Sequence, residues 1–544
     1  MKRRQPAVEC PDVTARSTRI LMIYPRFTAQ SFWNYAETCK LVEARYPAIP
    51  LGMITVAAML PAGWDIRLID RNVEDVSDDA LAEAIRDADL VMTGGMMFQQ
   101  PDTLRIVDLV QANGRPVVVG GPDPTSSPHI YARADFQVLG EAEEVIADFV
   151  AAWKRGERAG VFEAEKFKAD VTRTPAPRYD LLRLEHYLFV GVQFSRGCPF
   201  TCEFCDIIEL YGRTPRTKTA PQVLAELDRL YALGYRGHVD FVDDNFIGNK
   251  KVIKTFLPHL IAWQEQHGFP FEFSTEASIN LGDDKELLAL MQRANFFAVF
   301  VGIESPDPET LKATKKKQNT RRDIASSVHA IYAHGMFVTA GFIVGFDSEK
   351  ASIADAMVAL VEDAAIPLAM IGLLAALPNT QLTRRLAREE RLHPGHDVMQ
   401  EGKIDITTQG LNFDTLRPRD EIVQDYVTVL RRVYDPAAFA KRLDRLVDLL
   451  DRSGQRRELP PDDRRAKYAS FEMIHKIISA RPEAREVFWR TFTRCAERNP
   501  LALRYVVMLM GMYLHVGPFA RQLIADFDRR HPALEPRRRV AGAH

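Results

Sequence analysis

The chain has 544 residues, of which 46% are hydrophobic and 26% are charged, with a formal net charge of −2. This length predicts two or three domains, and the composition is that of a globular protein. The balanced charge indicates no nucleic-acid partner and no anionic membrane surface. No segment reaches the roughly 20 apolar residues of a membrane-spanning helix, and no signal-peptide pattern precedes Thr18. We therefore expect a cytoplasmic protein without a transmembrane segment.

Residues 18–153 alternate short apolar runs with segments of helical period. Strands that are buried on both faces and joined by helices predict an α/β domain with a parallel, doubly wound, Rossmann-like sheet. Residues 1–17 ahead of it are expected to be a disordered tail. The predicted strands are Arg19–Tyr24, Asp65–Asp70, Leu90–Thr93, Pro116–Val119 and Phe136–Leu139.

A second alternating series follows residues 154–186, a charged and proline-containing stretch that predicts a linker. Six β/α units within residues 187–415 predict a full or partial barrel of the (β/α)6 type. Residues 416–530 have only helical patterns and predict an all-helical region, and residues 531–544 predict a second disordered tail. The predicted barrel strands are Val190–Ser195, His238–Val242, Phe271–Thr275, Phe297–Ile303, Phe337–Val344 and Ala369–Leu374.

Three of the six cysteines, Cys198, Cys202 and Cys205, lie on one short stretch of the chain. Thiolates are the ligands that iron–sulfur clusters require, and close spacing lets one loop surround a cluster. A structural zinc site would need a fourth ligand nearby, and the next cysteine, Cys495, is far along the chain. Three protein ligands leave one iron able to bind another molecule.

The spacing C-x3-C-x2-C, with aromatic Phe204 before Cys205, resembles the signature of the radical S-adenosylmethionine superfamily. The resemblance implies that Cys198, Cys202 and Cys205 hold a [4Fe–4S] cluster. It also implies that the open iron binds S-adenosylmethionine, whose reductive cleavage yields a 5′-deoxyadenosyl radical. A one-electron donor of the flavodoxin or ferredoxin type is then required. The loop follows the first predicted barrel strand, at the end where barrel active sites lie.

By the same resemblance, polar residues at the ends of the next barrel strands are candidates to contact the cosubstrate. Their carboxylates would accept hydrogen bonds from its ammonium group or ribose hydroxyls. The alternative for each is a helix cap or a structural hydrogen bond. These candidates are Asp243, Asp244, Glu276, Gly302, Glu304 and Ser305.

Glycines and polar residues also follow the strands of the first predicted domain, where a doubly wound sheet binds its ligand. Ahead of a radical S-adenosylmethionine domain, this arrangement resembles the cobalamin-binding radical enzymes. The D-x-H-x-x-G motif that supplies a cobalt-ligating histidine is missing, and His129 is a poor candidate for that role. A degenerate domain that binds nothing is the alternative. The candidate cobalamin-binding residues are Asp70, Asn72, Gly94, Gly95, Gly120, Gly121, Pro122, Thr125, Gly140 and Glu141.

The helical third of the chain resembles the extension of one branch of these enzymes, which includes hopanoid and bacteriochlorophyll methylases. That resemblance implies methyl transfer to an unactivated carbon of an apolar small molecule, a lipid or a tetrapyrrole. A ring contraction, cyclisation or oxidation without methyl transfer remains an alternative. A cobalamin sensor with a structural cluster is a third hypothesis, which the three-cysteine loop disfavours because structural clusters normally have four protein ligands.

Overall fold

The computed structural model describes residues 17–27, 31–399, 410–454, 464–479, 482 and 485–530. The predicted tails, residues 1–17 and 531–544, lie outside these ranges except for Ser17. The strands are β1 (Arg19–Tyr24), β2 (Tyr46–Ala48), β3 (Asp65–Asp70), β4 (Leu90–Gly94), β5 (Val117–Gly120), β6 (Phe136–Leu139), β7 (Gly160–Glu163), β8 (Tyr187–Val192), β9 (Ser195–Arg196), β10 (Arg216–Thr217), β11 (Gly237–Phe241), β12 (Phe271–Glu276), β13 (Phe296–Glu304), β14 (Phe337–Val344) and β15 (Leu368–Leu373).

The first sheet has the strand order β3-β1-β4-β5-β6-β7, and all of its pairs are parallel. Apolar strands such as β4, buried along its whole length, are covered by helices on both faces. The predicted doubly wound sheet is confirmed. The helices of this part are Ala36–Leu41, Leu51–Met59, Asp78–Asp87, Gln100–Ala112, Pro122–Ser126 and Ala142–Lys154.

The second sheet is also parallel, with the order β15-β14-β13-β12-β11-β8-β2. Strands β2 and β15 do not pair with each other, so the sheet is a curled half-barrel, which confirms the predicted partial barrel. Its helices are Ile207–Leu210, Ala220–Ala232, Lys250–Gln266, Lys285–Arg293, Pro308–Ala313, Ile324–Tyr332, Ile353–Asp363 and Gln381–Arg388.

Beyond residue 415 the described chain is helical, as predicted. One of its helices, with its preceding turn at Pro500–Arg529, is long and apolar enough to cross a membrane, but 61% of its most apolar window is buried inside the protein. That burial is typical of a core helix. The helices are Arg419–Val433, Pro436–Leu449, Arg464–Ser479, Arg485–Arg498 and Leu503–Arg530.

Two segments differ from the sequence prediction. Strand β7 lies within the predicted linker 154–186 and forms the edge of the first sheet. Strand β2 lies within the predicted first domain, yet it pairs with β8 of the half-barrel. Both strands are three or four residues long, so neither has the length that makes an apolar pattern visible. The chain therefore passes through the second sheet before it completes the first.

Candidate active site

The cysteines lie on a hairpin that follows β8, which we call the cysteine hairpin (residues 195–217). Its base is the antiparallel pair β9–β10. Gly197 precedes Cys198 with φ of +94°, a conformation that favours glycine, and a Cβ there would stand 3.0 Å from the carbonyl oxygen of Gly212. The amide of Cys198 donates to that same carbonyl at 3.2 Å. Close backbone packing thus fixes where the first thiol stands.

Amide side chains from the half-barrel reach two of the three thiols. The Nδ2 of Asn245 lies 3.8 Å from Cys198 Sγ, and the Nε2 of Gln318 lies 3.7 Å from Cys202 Sγ. Burial raises the pKa of Cys198 and of Cys205, so iron would have to displace protons on binding. In the part of the chain that the structure describes, no three His, Cys, Asp or Glu side chains form a site for a single metal ion. The set fits a cluster, which is larger, better than it fits zinc.

Asp243 and Asp244, two of the predicted cosubstrate contacts, hold the cysteine hairpin. The carboxylate of Asp243 accepts hydrogen bonds from the amides of Phe194 at 3.0 Å and Ser195 at 2.5 Å, and from the Ser195 hydroxyl. Asp244 accepts from the amide of Gly197 at 2.8 Å. Both carboxylates are therefore engaged with backbone directly before Cys198, which is the structural alternative for these positions.

Glu304 and Lys316 form an ion pair beside the cysteines, and Gly302 lies next to it. The carboxylate of Glu304 lies 2.7 Å from Lys316 Nζ, and Glu304 has φ of +68°. A Cβ at Gly302 would stand 2.3 Å from that carboxylate and 3.0 Å from the ammonium, so a side chain there would displace the ion pair from its present position. Burial opposes the charge of Lys316, yet the charges of Glu304 and Cys202 raise its pKa. Ser305 is fully buried, and its hydroxyl accepts from the amide of Asp307 at 3.2 Å.

Glu276, at the end of β12, has a water-accessible carboxylate without a hydrogen-bond or ion-pair partner among the described residues. Desolvation by the surrounding walls of the cleft, and then the negative charges of Asp240 and Asp244, raise its pKa to about 8 although water still reaches part of the side chain. This combination places Glu276 in a cleft that water enters and where acidic groups gather. Such a group is able to bind a cation or to exchange a proton near neutral pH.

Phe204 lines a cavity of about 910 Å³ next to the cysteines. Its ring packs against Phe346, with 5.6 Å between the centroids, and Lys316 Nζ lies 6.0 Å from it. Leu374 adds to the apolar part of the wall, while charged side chains such as Arg388 form the rim. The cavity is large enough for a nucleoside-sized ligand.

The glycines of the first domain form what we call the glycine edge (Gly94–Gly95, Gly120–Gly121 and Gly140), at the C-terminal ends of β4, β5 and β6. A Cβ on Gly94 would stand 1.8 Å from the carbonyl oxygen of Gly120, and one on Gly121 would stand 3.2 Å from the amide of Gly95. The missing side chains therefore let neighbouring loops pack together. Adjacent Met96 is 44% exposed, so the edge is open to solvent at this point.

Thr125 joins two loops of the glycine edge. Its hydroxyl donates to the carbonyl of Gly121 at 2.8 Å and accepts from the amide of Gly140 at 2.9 Å. Pro122 begins the helix that carries Thr125. Gly140 has φ of +81° and would meet Ala164 if it had a Cβ. The sequence candidates Gly120 to Gly140 thus form one connected surface.

Asp70 and Asn72 bind each other and the chain around them. Asp70 is 2% exposed and accepts from Asn72 at 2.9 Å and from the Tyr187 hydroxyl at 2.7 Å. The Nδ2 of Asn72 donates to the carbonyl of Pro25 at 3.0 Å, and its Oδ1 accepts from the amide of Phe27 at 3.0 Å, so both ends of the side chain are engaged within the chain. His129 is exposed and lies 3.3 Å from the carboxylate of Asp397.

Glu141 links the glycine edge to the cysteine hairpin. It lies 3.2 Å from Arg196 and 2.7 Å from Arg216, and Glu143 lies 2.8 Å from Arg196. We call these four residues the ionic latch. All four side chains are at most 16% exposed. The sequence predicted that Glu141 contacts cobalamin, and the structure shows its carboxylate paired with the two arginines.

Comparisons with known proteins agree with this geometry. Residues 192–360 match the family model of the Radical SAM superfamily, and residues 38–150 match that of the B12 binding domain. Residues 380–528 match a domain of unknown function, DUF4070. The three matched regions follow the order first domain, half-barrel and helical extension.

The chain is 48% identical to an uncharacterized methyltransferase, sll1242, of Synechocystis sp. over 78% of this chain and 77% of that protein. It is 36% identical to the hopanoid C-2 methylase of Rhodopseudomonas palustris over 93% of this chain and 94% of that protein. The bacteriochlorophyllide d C-12(1)-methyltransferase of Chlorobaculum tepidum is 23% identical, over 75% of this chain and 87% of that protein.

Two solved structures share the fold. The cobalamin-dependent S-adenosylmethionine radical enzyme OxsB, with aqua-cobalamin and S-adenosylmethionine bound, superposes with a TM-score of 0.60 at 14% identity, over 96% of this chain and 82% of that chain. The methyltransferase TsrM from Kitasatospora setae, with cobalamin and a [4Fe–4S] cluster bound, gives 0.57 at 18% identity, over 74% of this chain and 83% of that chain.

Together these findings define a radical S-adenosylmethionine enzyme with a cobalamin-binding domain. More particularly, the chain belongs to the cobalamin-dependent radical S-adenosylmethionine methyltransferase family. Its cofactors are a [4Fe–4S] cluster, S-adenosylmethionine and cobalamin.

Several residues of the site were not found by sequence reasoning. Lys316 and Gln318 come from a loop more than a hundred residues after the cysteines, and no local pattern connects them. Arg196 stands two positions before Cys198, so its place in the motif is a signal that was available. Arg216 joins the site only through the pairing of β9 with β10.

Proposed function

We propose that this enzyme transfers a methyl group to an unactivated carbon of an apolar substrate of the lipid or tetrapyrrole type. The observation that carries the proposal is the ionic latch, which ties the glycine edge of the cobalamin domain to the cysteine hairpin. In methyl transfer by these cofactors, both must act on one substrate carbon, and a displacement of about 1 Å could cost roughly 100-fold in rate. Loops joined by buried ion pairs suit that requirement.

The cofactors supply the radical and the methyl group, and the chain supplies their positions. Cys198, Cys202 and Cys205 would hold the cluster, and the glycine edge with Met96 would face the cobalamin. We propose that S-adenosylmethionine binds between the cysteine hairpin and the C-terminal ends of β12 and β13, with Phe204 beside it and Glu276 and Glu304 near its polar groups. The electron would come from a flavodoxin or ferredoxin type of donor.

The apolar substrate is supported by the relatives, one named as a hopanoid methylase and one as a bacteriochlorophyllide methyltransferase. A second candidate function is a non-methylating cyclisation. Relatives named anaerobic magnesium-protoporphyrin IX monomethyl ester cyclase favour it, at 24% identity over 55% of this chain for one from Synechocystis sp..

The deciding experiment is anaerobic turnover of the reconstituted enzyme with reductant, cobalamin and S-adenosylmethionine, in the presence of a lipid and pigment extract from cells that carry the gene. Methyl transfer predicts S-adenosylhomocysteine together with 5′-deoxyadenosine, measured by liquid chromatography and mass spectrometry. If 5′-deoxyadenosine forms with extract-dependent product but without S-adenosylhomocysteine, the cyclisation candidate replaces methyl transfer.

A further inference from the structure

The concave face of the half-barrel carries three linked polar side chains, His238, Asp240 and Ser274. Side chains alternate along a strand, and in β11 the neighbours Val239 and Phe241 are fully buried on the opposite, helix-covered face. Ser274 on β12 is paired in register with Asp240. The three side chains therefore share the inner face, where each remains partly accessible to solvent.

After the hydrogen bonds within this cluster are formed, the atoms that still lack a partner are hydrogen-bond acceptors. The hydroxyl of Ser274 donates its one proton to Asp240, so it must accept from His238 Nε2, which lies 2.6 Å away. Burial lowers the pKa of His238 to about 3, which keeps the ring neutral. Its Nδ1 is then an unprotonated acceptor. Neither Nδ1 nor the second oxygen of Asp240 has a hydrogen-bond partner within the described chain.

Aromatic and small residues surround this cluster. The His238 ring lies between Phe189 and Phe297, at centroid distances of 5.0 and 4.9 Å. At the level of Asp240 and Ser274, the neighbouring strands carry Gly191 and Ala298, so neither strand places a large side chain of its own beside the carboxylate. A Cβ at Gly191 would stand 3.5 Å from Leu51 Cδ2, so Leu51 of the first domain borders this part of the face.

The lower end of this face is closed by the helical extension. The hydroxyl of Tyr505 donates to Glu272 at 3.0 Å, and Arg504 pairs with the same carboxylate. A ligand at the cluster must therefore enter from the C-terminal end of the strands, where the cysteine hairpin lies.

We propose that His238, Asp240 and Ser274 bind a hydroxyl group of the substrate. This inference rests on the proposed function, because it adds one polar group to an otherwise apolar substrate. Unused acceptors call for a hydrogen-bond donor, and on an apolar molecule that donor is a hydroxyl. The ribose of S-adenosylmethionine is the other possible source of such a hydroxyl. Asp240, however, lies one inward-facing position farther than Glu276 from the C-terminal ends of the strands, and therefore farther from the cysteines.

The test uses S-adenosylmethionine with a deuterated methyl group and the cell extract described above. Three portions of extract are compared: untreated, acetylated, and acetylated and then treated with mild base. We expect labelled product in the first, loss of at least tenfold in the second, and recovery in the third. Mild base restores hydroxyls from their acetate esters but leaves acetamides intact.

Each other outcome overturns the inference. Full labelling of the acetylated extract would exclude a role for a hydroxyl, and failure to recover after base would assign the contact to an amine. An absence of label in all three portions would instead contradict the proposed methyl transfer, and this inference would fall with it. The two failures are thus distinguishable.

Two variants test whether these three residues are the ones that bind the substrate hydroxyl. In Asp240→Asn and in Ser274→Ala, we expect the half-saturating amount of extract to rise roughly tenfold, the effect of one lost buried hydrogen bond. The half-saturating S-adenosylmethionine concentration should shift far less. The control Thr339→Val removes another hydroxyl from the same face. If the S-adenosylmethionine concentration shifts instead, the cluster binds ribose and the proposal is wrong.

Discussion

The cysteine hairpin and the glycine edge meet at the ionic latch, but different forces hold them in place. The hairpin depends on charge: Asp243 and Asp244 bind its backbone, and the latch binds its arginines. The glycine edge depends on close backbone contact, with Gly94 against Gly120. The cysteine hairpin should therefore be sensitive to the removal of charged side chains, and the glycine edge to the addition of side-chain volume.

The difference follows from what each region has to hold. A cluster ligated by three thiolates concentrates charge on one short loop, so polar partners around that loop have a role. A cobalamin domain presents a broad edge to a large ligand, and closely packed loops make that edge smooth. The following predictions test whether the two regions can be disturbed separately.

The largest effect is expected for Cys202→Ala. Removal of one of three thiolates should abolish cluster assembly and the formation of 5′-deoxyadenosine, while cobalamin binding persists because the glycine edge is untouched. Iron content, 5′-deoxyadenosine yield and the cobalamin absorbance spectrum measure the three properties. Cys495→Ala, which removes a buried thiol outside the hairpin, is the control. Retention of 5′-deoxyadenosine formation in the Cys202 variant would contradict the cluster assignment.

The double variant Glu141→Gln and Glu143→Gln should weaken the coupling between the regions. It leaves Arg196 buried without a charged partner from the first domain, a change that costs about 3–5 kcal/mol for comparable buried pairs. We expect hydrogen exchange in residues 195–217 to accelerate and methyl transfer to fall by up to roughly 100-fold. Both cofactors should still bind when each is loaded alone.

Glu144→Gln is the matched control for that experiment, because Glu144 lies on the same helix turn but is exposed and pairs with no arginine among the residues that the structure describes. Exchange in residues 195–217 that is unchanged in the double variant would show that the latch does not position the hairpin.

Added volume is the test of the glycine edge. In Gly94→Ala the new methyl group would stand 1.8 Å from the carbonyl oxygen of Gly120, so the loops must separate. We expect a loss of roughly 3 kcal/mol or more in the free energy of unfolding, together with weaker cobalamin retention. Gly114→Ala is the control: Gly114 also has positive φ, at +65°, but has no atom within 4 Å of its Cβ position.

For Gly114→Ala, only the conformational cost of roughly 1–2 kcal/mol is expected. Thermal unfolding and the amount of cobalamin retained after gel filtration compare the two variants. Equal effects would mean that close packing between the loops does not matter.

The sequence was informative where chemistry is local. Cys198, Cys202 and Cys205 share one loop, so their spacing and its resemblance to a family signature were enough to predict a cluster site, and the strand patterns predicted both sheets. The pairing of β2 with β8 was not predictable, because three residues carry too little pattern and the partner lies far along the chain. Glu141 was predicted to contact cobalamin from its place after Gly140, at the end of a strand. Its ion pairs with Arg196 and Arg216 were not predictable, because both arginines come from another domain.

Glu304 and Gly302 illustrate the same limit. Both lie at the C-terminal end of β13 and were predicted from the sequence to contact the cosubstrate, whereas the ion-pair partner Lys316 comes from a separate loop. The burial of Glu304 and its pairing with Lys316 arise only in the folded chain. The sequence pattern could therefore mark Glu304 as a candidate but could not show that it forms an ion pair.

The smallest predicted effect concerns the pKa of Glu276, in the acidic cleft near the cysteine hairpin, and how it changes the stability with pH. Glu276 has a folded-state pKa of about 8, above its ordinary value of 4.5, so the unfolded chain releases a proton first as the pH rises. Its contribution to stability is therefore present below pH 4.5 and is lost between about pH 4.5 and 8. The melting temperature should fall over this range, and less steeply in Glu276→Gln. Since water reaches the carboxylate, the difference should be modest. An identical slope in both proteins would mean that Glu276 titrates normally and that the cleft is not acidic.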